Sequence, residues 1–217
     1  MKTILAFGDS LTFGANPEPG GPRHAYEDRW PTALEKALGG TARVIAEGLG
    51  GRTTVSDDWY ANTDRNGARI LPTLLESHSP LDLVIIMLGT NDLKPAICGS
   101  ALEASFGMRR LVQIIRGHYA GKGETAPQII LVAPPLLCAS DNADMMGHFG
   151  GLQHGLDQSG QFAAHYARRA HEWNTGFFDA ATVAKADPRD GVHLDAGNTR
   201  AIGEGLVPVV QSMLGIS

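Results

Sequence analysis

The chain has 217 residues, 43% of them apolar and 19% charged, with a net charge of -5. This length and balance fit one α/β domain with a sizeable core and exclude a disordered or fibrous chain. Charges are mixed without blocks of one sign, so there is no footprint for nucleic acid, and no run approaches the ~20 apolar residues of a membrane span.

The opening "MKTILAFGDS" is too short in its apolar part for a secretory leader. Its "TILAF" (3–7) reads instead as a first strand, and "GDSLTFG" (8–14) as the turn that follows it. A long connection, "ANPEPGGPRHAYEDR" (15–29), leads to a helix with Pro31 at its first position and Gly39-Gly40 as its stop. "RVIAE" (43–47) is the second strand, and "RNGARILPTLLESH" (65–78) a weaker helix interrupted at Pro72. "LVIIML" (83–88) and "IILVA" (129–133) are continuous apolar runs, the pattern of strands buried on both faces. Between them "ALEASFGMRRLVQIIRGHY" (101–119) is a long amphipathic helix. A second long connection, read as irregular, runs from about Pro134 to Ser159. In "GQFAAHYARRAHEWN" (160–174), Phe162, Tyr166, Ala170 and Trp173 share a helical face. "GFFDA" (176–180) is the fifth strand, and the last helix aligns Ile202, Leu206, Val210 and Met213. Strand alternating with helix predicts a doubly wound parallel sheet, and with no linker or repeat the whole of 1–217 is one domain. Cys98 and Cys138 make no disulfide framework and are read as reduced thiols, which together with the absent leader predicts a cytoplasmic protein.

In an open parallel sheet, ligands bind outside the carboxyl ends of the strands. Small, polar or catalytic-type residues follow four of the five runs: Gly8-Asp9-Ser10, "GLGGRTT" (48–54), "GTND" (89–92) and, after a delay, "DGVHLD" (190–195). Ser and Asp are also favoured helix caps, so the serine alone decides nothing. A nucleophilic serine needs a base, a group that orients the base, and donors for an oxyanion. His193 is placed as the base and Asp190, three residues earlier, as its orienter. The donors are the Ser10 N–H, the Gly51 N–H and the Asn91 side-chain amide. Turn chemistry alone would also account for Asn91 and Asp92. The pocket wall is placed at Asp9, Leu11, Phe13, Pro135 and Val192. Phe13 stands three residues after Ser10 on one helical face, and the apolar residues of 134–159 lie at the same sheet edge.

No Gly-x-Ser-x-Gly elbow surrounds Ser10. The chain has no P-loop, dinucleotide turn or Cys-x-x-Cys pair, and its remaining histidines lack metal-ligand spacing. No metal and no cofactor is expected.

The four blocks "GDSL", "GLGG", "GTND" and "DGVH", in this order over residues 8–193, resemble the SGNH (GDSL) hydrolases. The longer stretches "GDSLTFG", "GLGGRTT" and "LDLVIIMLGTND" are similar to the bacterial arylesterase/acyltransferase branch, which includes perhydrolases. The resemblance implies a flavodoxin-like five-stranded sheet of order 2-1-3-4-5. It also implies Ser10, His193 and Asp190 as a triad, with Ser10, Gly51 and Asn91 as the oxyanion hole. It further implies action on small short-chain and aryl esters, acyl transfer to alcohols as well as water, and a homo-oligomer; the charge and hydropathy above leave no nucleic-acid or membrane partner. A carbohydrate O-deacetylase or thioesterase of the same fold, or a non-catalytic binding module, are the other readings.

Overall fold

A computed structural model describes residues 1–18 and 20–216. Five strands form one sheet: β1 (Lys2–Gly8), β2 (Ala42–Gly48), β3 (Leu83–Met87), β4 (Gln128–Ala133) and β5 (Gly176–Asp179). Their spatial order is β2-β1-β3-β4-β5, and every neighbouring pair is parallel. This is the architecture and strand order expected from the sequence.

The apolar continuity of β3 and β4 has its cause in two cores. Val84, Ile86, Leu131 and Ala133 face one layer, while Leu83, Ile85, Met87 and Val132 face the other. The first layer is closed by α3 (Gly67–Ser77), α4 (Ala101–Ala120) and α7 (Phe162–Glu172), through Leu71, Leu75, Met108, Leu111, Phe162 and Tyr166. The second is closed by α2 (Trp30–Ala37) and α8 (Ala196–Leu214), through Trp30, Leu34, Ile202, Leu206 and Val210. Alternate side chains of a strand point to opposite faces, so a strand covered on both sides must be apolar at every position.

Three expectations are corrected. Helix α3 runs through Pro72, as α8 runs through Pro208. Leu71 and Leu75 of α3 are fully buried, and this packing offsets the lost hydrogen bond of the proline. The 134–159 connection is not wholly irregular: it contains α5 (Ala143–His148), capped by the Asn142 side chain accepting from Met145 N at 3.0 Å, and α6 (Leu152–Ser159). Both are too short to show a clear apolar period. Finally, Trp30, next after the 15–29 connection, opens α2 completely buried, and its indole N–H donates to Thr12 Oγ1 at 3.1 Å. Pro31 accordingly sits second in α2, after Trp30. Pro19 of that connection lies outside the described residues.

Candidate active site

Because all five strands are parallel, the segments that follow them meet at one edge. Ser10 begins α1 (Ser10–Phe13) directly after β1. The helix cap is Asp9, not the serine: the Asp9 carboxylate accepts from Leu11 N at 3.0 Å, which leaves the Ser10 hydroxyl free for another partner. Close packing of this turn requires two glycines. A Cβ on Gly48 would lie 2.2 Å from Phe13 N, and one on Gly8 would lie 2.0 Å from Thr12 Oγ1.

The structure brings Ser10, His193 and Asp190 into one line. His193 Nε2 lies 3.0 Å from Ser10 Oγ, and His193 Nδ1 lies 2.6 Å from Asp190 Oδ2. With Nδ1–H donating to the carboxylate, Nε2 is the acceptor for the serine hydroxyl. The other carboxylate oxygen of Asp190 accepts from Val192 N at 2.9 Å and His193 N at 2.8 Å. Burial alone would raise Asp190, but the hydrogen bonds from the His193 ring and these two amides outweigh it and hold the carboxyl below its ordinary range.

The loop carrying this pair is fixed from several sides. Asp187 N donates to His193 O at 2.8 Å, and Cys138 N to Gly191 O at 2.9 Å. His24, buried in the 15–29 connection, contacts Leu194 O through its ring Nε2 at 2.8 Å, and its backbone N–H donates to Gly14 O. That connection therefore ties the end of α1 to the loop of His193.

Asn91 opens a short 3-10 turn (Asn91–Leu93) after β3. Its Nδ2 donates to Arg52 O at 3.1 Å and makes a long contact of 3.5 Å to Asp9 Oδ2. Gly51 has φ +77, and a Cβ there would lie 2.4 Å from Arg65 Nη1. Arg52, a residue that the sequence reading did not single out, is buried; its Nη1 donates to Gly8 O at 2.8 Å and also to Glu47 O. Arg52 thereby joins the ends of β1 and β2 beneath the Gly51 loop. Two carboxyls lie behind these donors. Burial pushes Asp9 up to about 6, against the Leu11 hydrogen bond and the charges of His193 and Arg52. It pushes Asp92 up to about 7, against hydrogen bonds from Thr54.

A cavity of about 800 Å³ opens beside Ser10, His193, Gly51 and Asn91. This falls in the range of roughly 300–1,000 Å³ usual for small-molecule sites. Phe13 and Val192 line it, as do Met145 and Phe149 from the 134–159 connection. Asp9, Leu11 and Pro135 do not. Asp9 turns inward as the helix cap, Leu11 packs into the core beneath α2 and α8, and Pro135 is buried after β4. The cavity also carries Asp58, Arg65 and Lys94, which the sequence reading missed. Lys94 was within reach, three residues beyond Asn91 on the same sheet edge. Asp58 and Arg65 arrive through a loop that only the tertiary packing brings to the site.

The family model described as GDSL-like Lipase/Acylhydrolase matches residues 6–199, and the chain belongs to this family. It is similar over 100% of both chains to the crystal structure of a carbohydrate acetylesterase family member from Sinorhizobium meliloti, at 53% identity and a TM-score of 0.94. It is 40% identical to the M. smegmatis aryl esterase, with a TM-score of 0.91 over 99% of this chain and 100% of that one. An arylesterase from Vibrio mimicus is 36% identical over 94 residues, a match spanning 42% of this chain and 38% of that protein. Among the described residues, no helix is long and apolar enough to cross a membrane.

Proposed function

We propose that this protein is a serine carboxylic ester hydrolase that acts on short-chain and aryl esters through an acyl-enzyme on Ser10. The observation that carries this reading is the chain of contacts from Ser10 Oγ through His193 to Asp190, at 3.0 and 2.6 Å, opening on the cavity. Ser10 Oγ attacks the ester carbonyl carbon while His193 Nε2 takes its proton. Asp190 holds the ring and stabilises the imidazolium that forms. The oxyanion accepts from Ser10 N–H, Gly51 N–H and Asn91 Nδ2, whose contact to Asp9 is long enough to be exchanged for it. Collapse expels the alcohol, which takes the proton from His193. Water or a second alcohol then attacks the acyl-enzyme by the same steps reversed, releasing acid or a new ester. No metal is used. Similarity to the S. meliloti protein supports a second reading, removal of O-acetyl groups from carbohydrate.

The test is hydrolysis of phenyl acetate, 4-nitrophenyl esters of increasing acyl length, and acetylated sugars by wild type and Ser10→Ala. Activity on the aryl esters should fall by at least ~10³ in a folded Ser10→Ala protein, and a serine-directed phosphonate should label Ser10 alone. Near-normal turnover by Ser10→Ala refutes the mechanism. Faster turnover of sugar acetates than aryl acetates selects the second reading. We place the enzyme in the cytoplasm, a reducing compartment that suits its two free thiols, and as a homo-oligomer, which light scattering at micromolar concentration checks.

A further inference from the structure

The cavity beside Ser10 holds more positive charge than the ester chemistry uses. Lys94 follows the 3-10 turn that starts at Asn91 and is half-buried on the cavity wall. Among the described residues its ammonium has no ion pair and no hydrogen bond; its recorded partner is the face of the Phe149 ring, at 5.8 Å. Arg65 lies across Gly51 and spends Nη1 on Asp58 at 3.2 Å, while its Nε is buried with no acceptor. The wall thus carries two basic side chains against one carboxylate.

The remaining acidic groups nearby do not make up the difference. Asp9 and Asp92 are fully buried, one as the cap of α1 and the other bonded to Thr54. Lys94 itself is pushed below the ordinary lysine range, first by burial, with Arg65 adding and Asp58, Asp9 and Asp92 opposing. The stem of Lys94 is half-buried, while its ammonium reaches the cavity with no anion beside it. An anion between Lys94 and Arg65 offsets both charges and gives the Lys94 ammonium the acceptor it lacks. A neutral ester group offers only weak acceptors there, whereas a carboxylate forms charge-assisted bonds to ammonium and guanidinium alike.

We propose that Lys94 and Arg65 form a carboxylate-recognising subsite, and that the preferred substrate is an ester bearing a carboxylate away from its scissile bond. This rests on the esterase reading above and names its substrate class.

The experiment compares kcat/KM in pairs matched for size and reactivity. One pair is 4-acetoxybenzoate and 4-acetoxybenzamide, with the charge on the leaving group. The other is the monophenyl ester of adipic acid, whose chain is too long for its carboxylate to attack its own ester readily, and its terminal amide, with the charge on the acyl group. In one pair the carboxylate should be favoured by roughly 10-fold to 100-fold, the range that one hydrogen bond to a charged group spans, mainly through KM. The favoured pair tells which side of the ester meets Lys94. In Lys94→Gln this ratio should collapse towards one, and in Lys94→Glu it should invert. No carboxylate preference in either pair overturns the proposal, as does a preference that survives Lys94→Glu. An equal loss on both members of a pair also overturns it, because it marks a general positioning role. If no ester at all is cleaved through Ser10, the esterase reading has failed. The subsite is then judged by calorimetry with wild type, in which 4-hydroxybenzoate must bind more tightly than 4-hydroxybenzamide and Lys94→Glu must abolish the difference.

Discussion

Thr54 holds Asp92 at both ends of its carboxylate: the Thr54 N–H reaches Oδ1 and Oδ2 at 3.1 and 3.0 Å, and its hydroxyl donates to Oδ1 at 2.5 Å. Thr54 stands three residues after Gly51, and Asp92 directly follows Asn91. Together with the Asn91 contact to Arg52 O, this pair fixes the spacing between two of the three proposed oxyanion donors. Helix α4 is pressed against the pair, since a Cβ on Gly107 would lie 1.9 Å from Thr54 Oγ1. Thr54→Val removes the hydroxyl donor while keeping the side-chain volume. It should cost about 1–3 kcal/mol of stability, because the buried carboxylate loses a partner. It should also lower kcat on phenyl acetate about 10-fold with KM little changed, as expected for a donor displaced from the transition state. Urea unfolding and steady-state kinetics check both, and an unchanged kcat in a destabilised protein limits the pair to a structural role.

Asn91→Ala should act on the chemistry more directly. Its amide is proposed to bind the oxyanion more strongly than the ground-state carbonyl, and losing one such donor costs ~10²–10³ in rate. The loss should fall on kcat. An increase in KM alone would make Asn91 a ground-state contact and remove it from the oxyanion hole.

The sequence made the sheet and the positions of Ser10, Gly51 and Asn91 readable for one reason. In a parallel sheet, everything directly after a strand collects at one edge, so motif order along the chain maps onto proximity. Strands β3 and β4 could be read because two-sided burial leaves no polar position. Other features depend on packing that no local pattern encodes. Asp9 and Leu11 flank Ser10 in sequence, yet successive residues in a helical turn point about 100° apart, so both turn into the protein while Ser10 turns out. Helices α5 and α6 are six and eight residues long and broken by Gly147, Gly150, Gly151 and Gly155, too short for a period to emerge. The 55–65 segment that brings Asp58 and Arg65 to the cavity has no strand or helix of its own to predict where it lies.

Stability should fall as pH rises from about 5 to 8. Burial raises Asp9 to about 6 and Asp92 to about 7 in the folded protein, against roughly 4 in an unfolded chain. A carboxyl with a raised folded pKa binds its proton more tightly when folded, so its contribution is full below pH ~4 and is lost as pH passes through the folded value. Carboxyls such as Asp190, held below the ordinary range, are already ionised across this window and add no slope. Asp92→Asn should therefore flatten part of the fall in the urea midpoint between pH 5 and 8. An equal fall in wild type and variant would show that Asp92 does not titrate there.

Acyl transfer to alcohol should compete with hydrolysis even in buffer. Deacylation needs a nucleophile beside the acyl-enzyme, within reach of His193 Nε2. Part of the cavity wall is apolar: Phe13, Met145, Phe149 and Val192 all line it, and Phe149 and Val192 are almost wholly buried. The Arg23 guanidinium stacks on Phe13, its carbon 3.8 Å from the ring centroid. An aromatic alcohol gains contact with such a wall, whereas water gains none, so its local concentration at the acyl-enzyme exceeds its share of the solvent. The lysine and arginine of the cavity do not penalise a neutral alcohol. Supplying vinyl acetate and benzyl alcohol in buffer should thus give benzyl acetate alongside acetic acid. Phe13→Ala should lower the ester-to-acid ratio several-fold more than it lowers total vinyl acetate consumption. Acetic acid as the sole product, or a ratio untouched by Phe13→Ala, would mean that the acceptor does not rest on this wall.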